Sequence, residues 1–225
     1  MAGRYSPKIV TDGLVLLLDA GNRKSYPGSG TSVNDLSGNN RTCILVNGPT
    51  VTFQGFILDG TNDYAYISHG GGLSFSTGDF TVCVWNACIS NFLGRYGGII
   101  TNDNTTDNAW KIYKDNVNSF FSARVSSSTG NFPSFTVGRW HFYAFTFSSG
   151  TVRMYFDGSE CGSFSGASNP TSYNNLAFGS YRYNDAINGT YLNNQSIGPV
   201  QLYNRSLSAT EILQNYDATK GRFGF

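Results

Sequence analysis

Few residues in this chain carry reactive chemistry: two glutamates, Glu160 and Glu211, two histidines, His69 and His141, and four cysteines, Cys43, Cys83, Cys88 and Cys161. In most glycosidase families two carboxylates flank the scissile bond, and their pKa values are pushed apart so that one gives a proton while the other stays charged. Glu211 follows Ser208 at the S-x-x-E spacing of a helix capping box, which commits its carboxylate to backbone donors. Glu160 stands just after the turn signal Asp157-Gly158, so a carboxylate pair would have to come from aspartates. A nucleophile triad needs a histidine base within reach of a serine or cysteine. His141 follows Trp140 at the head of a strand-like run and reads as structural. His69 precedes Gly70-Gly71-Gly72 and reads as a solvated turn residue, with a ligand contact as the alternative. That glycine run lacks the lysine and following helix of a phosphate loop. The cysteines lack C-x-x-C spacing and are expected to be free thiols packed as small apolar groups. No catalytic residue is assigned, and the chain is read as non-enzymatic.

Binding chemistry is better represented. Ca²⁺ favours clustered carboxylate and carbonyl oxygens on a loop, which makes Asp103 and Asp107, in Asn102-Asp103-Asn104-Thr105-Thr106-Asp107-Asn108, the candidate ligands. Calcium is thus the one candidate cofactor, although the same residue types also make turns. Asp59 and Asp63, in Asp59-Gly60-Thr61-Asn62-Asp63-Tyr64, read as a turn between strands. Rigid aromatic side chains stack on sugar faces at low entropic cost, and Tyr96, Trp110, Tyr181 and Tyr183 lie in or beside loop-like stretches. They are the candidate glycan contacts. Tyr5, Phe223 and Phe225 sit in terminal segments too short to fold alone and are the candidate docking residues.

The elements that must position these residues are predominantly strands. Aromatics make up 15% of the chain, charged residues only 13%, and 27 glycines supply turns, a blend suited to pleated strands joined by short loops. Phe80-Thr81-Val82-Cys83-Val84-Trp85 places Phe80, Val82 and Val84 on one face, predicted to point inward. Trp140–Phe147 and Val152–Phe156 are separated by a linker short enough for a hairpin, and Asp157-Gly158 turns into Ser159–Phe164. The unbroken apolar run Leu14–Asp19 predicts a central strand buried on both faces. Shorter candidates are Tyr64–Ser68, Ile112–Tyr113, Ser119–Val125, Leu176–Gly179 and Val200–Tyr203. One helix is predicted from Ser208 to about Gly221. The organisation expected is an N-terminal arm over 1–10, a sandwich over 11–207 and a helix with its tail over 208–225. At this length roughly 70% of the extended chain's surface is buried on folding, enough for one full core.

The formal charge is +1 with no basic run, whereas nucleic-acid binders cluster Lys and Arg against phosphates. DNA and RNA are therefore not expected as partners. Met1–Lys8 lacks the apolar stretch of an export signal, and Gly13–Leu18 is too short to span a bilayer, so no membrane partner is expected.

Trp140-His141, Val152–Gly158, and above all Gly198-Pro199-Val200-Gln201-Leu202-Tyr203-Asn204-Arg205-Ser206-Leu207-Ser208 running into Glu211-Ile212 resemble the laminin-G-like and concanavalin A-like jelly rolls over roughly residues 9–216. The resemblance implies an all-β, antiparallel two-sheet sandwich with one short C-terminal helix. A narrower likeness is to virion structural proteins of tailed phages, marine ones in particular. It is carried by Ile9–Asn22, Ser25-Tyr26-Pro27-Gly28-Ser29-Gly30, Asp35-Leu36-Ser37-Gly38-Asn39, Asp59–Tyr64 and Thr210–Tyr216. An aromatic is usual in those proteins where Val33 stands here. That likeness implies a virion protein assembled in the host cytoplasm, a capsid decoration or a surface knob or fibre component. Its expected partners are capsid or tail proteins and further copies of itself on the particle. The alternative is a carbohydrate-binding lectin or host-adhesion module that meets a host-surface glycan. A glycoside hydrolase is the third reading, and the E-x-D-x-x-E strand signature of the jelly-roll glucanases is absent.

Overall fold

The computed structural model describes residues 7–68, 73, 75–90, 96–102, 109–114, 120–170, 175–180 and 192–225. In chain order the strands are β1 (Leu14–Leu18), β2 (Ser32–Asn34), β3 (Thr42–Val46), β4 (Thr50–Val51), β5 (Phe56–Asp59), β6 (Tyr64–Ile67), β7 (Phe80–Cys88) and β8 (Gly97–Thr101). They continue with β9 (Trp110–Lys114), β10 (Phe120–Val125), β11 (Ser128–Ser134), β12 (Trp140–Ser148), β13 (Thr151–Phe156), β14 (Ser159–Ser165), β15 (Leu176–Phe178) and β16 (Asn194–Tyr203). Among the described residues these make two antiparallel sheets. The first runs β14-β13-β12-β7-β16-β5-β4 with β1 joined to β16, and the second runs β11-β10-β9-β8-β15-β6-β3-β2.

Side-chain alternation decides what lies between the sheets. Phe80, Val82 and Val84 of β7 point into the shared core, as their spacing requires. Phe80 stacks on Phe75 at 4.6 Å and meets Phe145 edge-on at 5.7 Å, an aromatic arrangement that adds to simple burial. The alternate residues Cys83 and Trp85 emerge on the outer face of the first sheet yet are equally buried. Their cover is helix α1 (Ala209–Thr219) and the 3₁₀ turn Lys220–Phe223, which with Phe142, Tyr155 and Tyr203 form a second apolar layer.

Local chemistry fixes that cover. The Ser208 hydroxyl accepts from the Glu211 amide while the Glu211 carboxylate accepts from the Ser208 amide at 2.8 Å. Glu211 also pairs with both terminal nitrogens of Arg205, at 2.6 and 3.2 Å. The Arg205 guanidinium, helped by Ser208, holds the Glu211 carboxyl down at about 2. The N-terminal segment is pinned beside the helix: the Val10 amide donates to Asn215, the Tyr203 hydroxyl donates to the Val10 carbonyl, and Gln214 donates to the Lys8 carbonyl. The helix, the 3₁₀ turn and this segment together cover the centre of that sheet face.

One strand departs from its sequence reading. β1 is not central: it pairs with β16 alone and lies at an edge. Leu16 and Leu18 enter the core, while the other apolar residues of the run are half-buried by neighbouring segments. Its free edge is covered by the loop after β2, where the Leu17 amide donates to Asp35 and the Val15 carbonyl accepts from Ser37. All four cysteines are free. Burial pushes the Cys43 and Cys83 thiols well above their ordinary range and Cys88 to about 12. Cys161, expected to be buried, is exposed on the edge strand β14.

Candidate binding site

A cleft of about 270 Å³ opens at the sandwich rim between the loop after β1 and the turn joining β4 to β5. Ala20, Gly21, Arg23, Tyr26 and Gly28 line one side, and Val51, Thr52 and Phe53 the other. Its size is near the lower end of small-molecule sites, roughly 300–1,000 Å³, and suits a single small ring better than a long chain.

The first wall is held by its own hydrogen bonds. The Asn22 amide donates to the Asp19 carbonyl at 2.8 Å, and the Ser25 and Tyr26 amides both donate to the Asn22 carbonyl. Buried Ser25 closes the loop on β2: its hydroxyl donates to the Asn34 carbonyl at 2.5 Å and its carbonyl accepts from the Asn34 amide at 2.7 Å. Tyr26 packs its ring against the core and donates its hydroxyl to the Gly30 carbonyl. Arg23 is thereby raised on an ordered loop, exposed, with no hydrogen bond or ion pair among the described residues.

The second wall is a tight turn in which Thr52 and Gly55 exchange both backbone hydrogen bonds, at 2.7 and 3.2 Å. Phe53 stands at its tip, 69% exposed. The turn lies directly on Gly21, where an added Cβ would be 2.0 Å from the Phe53 carbonyl oxygen. Next to Gly21, Arg222 binds Asp19 through two parallel bonds of 2.5 and 2.8 Å, the fork-to-fork geometry strongest for a guanidinium and a carboxylate. The Arg222 carbonyl accepts from Gln54, tying the Phe53 turn to the C-terminus.

A second cleft, of about 320 Å³, lies between the end of α1 and the tail. There the cation is already satisfied, since Lys220 pairs with Asp217 at 2.6 Å. On the outer face of the second sheet Tyr64 and Tyr66, both half-buried, stack with ring centres 6.1 Å apart.

The structure distributes the sequence candidates differently from expectation. Trp110 is not a loop aromatic: it lies in β9, 1% exposed, with its ring among Phe75, Phe80 and Phe145, so it is core and offers no face to a sugar. Tyr96 is half-buried just before β8 and away from the cleft lining. Tyr181 and Tyr183, His69, and the calcium candidates Asp103 and Asp107 lie outside the described residues, as does Tyr5. Phe223 is not a free docking residue: its ring stacks on Trp85 at 4.2 Å and meets Trp140 at 4.6 Å within the domain itself. Phe225 is 37% exposed beneath the Arg139 guanidinium, 4.9 Å away. Asp59 accepts from the amides of Thr61, Asn62 and Asp63, which hold its carboxyl below the usual range and make it the turn expected. Among the described residues no three His, Cys, Asp or Glu gather to hold a metal. Val33 is fully buried in β2. Phe53 and Arg23 were not singled out from sequence; the available signal was a lone aromatic in the polar turn Thr52-Phe53-Gln54-Gly55.

His141, the one histidine among the described residues, is held in a structural role. Its Nδ1 faces Asp157 at 2.8 Å and its Nε2 accepts the Thr136 amide at 3.3 Å, so the hydrogen-bond network assigns the proton to Nδ1 and leaves no free lone pair. The second Asp157 oxygen accepts from the Phe142 amide. The pair clamps the turn between β13 and β14 to β12.

The family model of the concanavalin A-like lectin/glucanases superfamily, in its laminin-G form, matches residues 59–213. The chain belongs to this superfamily. No curated protein matches it in sequence. Among solved structures, Trypanosoma rangeli sialidase superposes with a TM-score of 0.70 at 16% identity, covering 93% of this chain and 33% of the enzyme. The ligand-binding domain of botulinum neurotoxin serotype D, in complex with N-acetylneuraminic acid, gives 0.71 at 14% identity over 92% of this chain and 51% of that domain. The binding domain of Paraclostridial Mosquitocidal Protein 1 gives 0.66 at 16%, over 92% and 52%. The chain thus spans a third to about half the length of these proteins, and at such identities the likeness is one of fold. The superfamily fold serves catalytic and purely binding proteins alike, so the site must decide between them.

Proposed function

We propose that this protein is a carbohydrate-binding module that holds a sugar in the cleft between Arg23 and Phe53 and performs no covalent chemistry. The observation that carries this is Phe53, 69% exposed on a rigid turn beside an ordered polar loop. An aromatic face presented to water on a preorganised wall is what stacking against a sugar ring requires. Membership of a superfamily of lectins and glucanases, both of which hold carbohydrate, supports it, as do structural neighbours described in complex with sialic acids. Among the described residues the cleft is lined by no histidine and no carboxylate, which fits the non-catalytic part. The likeness to tailed-phage proteins supports a module displayed on a particle, as decoration, knob or fibre.

The test is a glycan array with the full chain, with and without calcium, alongside Phe53→Ala. Binding that disappears in the variant while its melting temperature stays within a degree or two supports the proposal. A blank array from folded protein, together with stoichiometric occupancy on purified particles, refutes it in favour of a structural role. Loss in Tyr66→Ala instead of Phe53→Ala moves the site to the outer face of the second sheet.

A further inference from the structure

We infer that the cleft selects sugars carrying an anionic group, a carboxylate or a sulfate, and that Arg23 is the residue that reads it while Phe53 takes the ring face. This rests on the carbohydrate-binding reading above and adds the chemical class of the ligand. The charges around the cleft are unevenly satisfied. Asp19, just before the lining residues Ala20 and Gly21, is taken up by both nitrogens of Arg222, and Asp35, on the neighbouring loop, accepts from the Leu17 and Ser37 amides and faces Arg41 at 3.6 Å. Arg23 and the adjacent Lys24 are exposed cations without a carboxylate partner among the described residues. No acidic residue lines the cleft. An anion entering it therefore meets uncompensated positive charge and no repulsion.

Geometry favours Arg23 over Lys24 as the reader. Arg23 lines the cleft and Lys24 does not, and a guanidinium offers parallel donors that match a carboxylate or sulfate, whereas an ammonium is a hydrated point charge. A position for Cβ on Gly28 lies 3.6 Å from an Arg23 terminal nitrogen, so the guanidinium sits beside another residue of the cleft lining. A neutral sugar would satisfy Phe53 but leave the guanidinium in water.

The test is calorimetric or NMR titration of the full chain with sialylated, uronate-bearing and sulfated oligosaccharides. Each is paired with its neutral counterpart, the carboxyl methyl ester or the desulfated sugar. Charge-assisted hydrogen bonds at a partly solvated site predict a preference of roughly 10-fold for the anionic member. Arg23→Gln is expected to erase that preference, Arg23→Lys to restore part of it, and added salt to weaken the anionic ligand alone. The arm that shows the preference identifies the anion as carboxylate or sulfate. Equal binding of a charged sugar and its neutral partner, or a preference that survives Arg23→Gln, overturns this inference. If neutral sugars still bind and Phe53→Ala abolishes that binding, the carbohydrate-binding reading stands without it. Failure to bind any sugar overturns both.

Discussion

Gly21→Ala tests the cleft without touching any side chain that contacts a ligand. The new Cβ would fall 2.0 Å from the Phe53 carbonyl oxygen and 2.8 Å from its carbon, with an Arg222 nitrogen at 3.1 Å. Backbone cannot yield as a flexible side chain can, so the Thr52–Gly55 turn must retreat by about 1 Å. Overpacking of this kind costs about 1–3 kcal/mol. For a chain of this size each kcal/mol lowers Tm by roughly 2–4 °C, so a fall of roughly 2–12 °C is expected. The Gln54 bond to the Arg222 carbonyl, at 3.4 Å, is the first to break. Because Phe53 travels with the turn, sugar affinity is expected to fall about 10-fold or more, by loss of aligned stacking. Thermal melts by circular dichroism and glycan titration read the two effects. Gly221→Ala is the control, since a Cβ there meets nothing within 4 Å and the backbone is not left-handed. A Gly21→Ala protein with unchanged Tm and affinity refutes the claim that close backbone approach at Gly21 sets the cleft.

Phe223→Ala removes a ring stacked on Trp85 at 4.2 Å and is expected to cost about 2–4 kcal/mol, near the lower part of the core Phe→Ala range because a terminal turn can relax. Urea unfolding measures it, and a loss under 1 kcal/mol would show the tail to be loosely held. Thiol titration should count one accessible cysteine, Cys161, in the native protein, reacting slowly because desolvation lifts its thiol to about 11, and four after denaturation; a second reactive native thiol contradicts the burial of Cys43, Cys83 and Cys88. The Glu211 carboxyl lies at about 2 in the folded chain against an ordinary 4.5. Its contribution to stability is therefore complete above about pH 4.5 and is lost as pH falls toward 2. Between pH 6 and pH 3 the wild type should lose more stability than Glu211→Gln, and equal losses would refute the Arg205–Glu211 anchor.

The long interior strands were legible because their periodicity extends over many residues. Phe80, Val82 and Val84 face the core as alternation requires, and Trp140–Ser148 and Thr151–Phe156 form the hairpin their spacing predicts. Strands β2 and β4 have three and two residues, too few for a period to show. β8 begins Gly97-Gly98, with no strand-forming residue to announce it, yet Gly98 is required by contact: a Cβ there would lie 2.1 Å from the Ser180 carbonyl oxygen. The cleft was hidden for related reasons. Trp110 follows a run of turn formers, so local composition made a core residue look like a loop residue. Phe53 sits between strands too short to read. Among the residues that carried the narrow phage likeness, Ser25 closes the cleft-wall loop on β2, Asp19 binds Arg222 and Asp35 caps the edge of β1. Asp19 has its partner 203 positions away, a pairing no local pattern encodes.

The same C-terminal turn closes one sheet face and fixes the cleft. Phe223 wedges against Trp85 and Trp140, which holds the neighbouring Arg222 where its guanidinium can clamp Asp19 and its carbonyl can take Gln54. The walls are thus set before any ligand arrives, and little ordering entropy is lost on binding. A cleft for one sugar ring still offers few contacts, and a dissociation constant near 1 mM corresponds to only about 4 kcal/mol. Useful capture of a sparse surface glycan then depends on several modules acting together, since linked sites raise overall affinity by about 10²–10⁴ without any new contact. On the carbohydrate-binding reading proposed above, a shallow preformed cleft on a sandwich gains most from display in several linked copies.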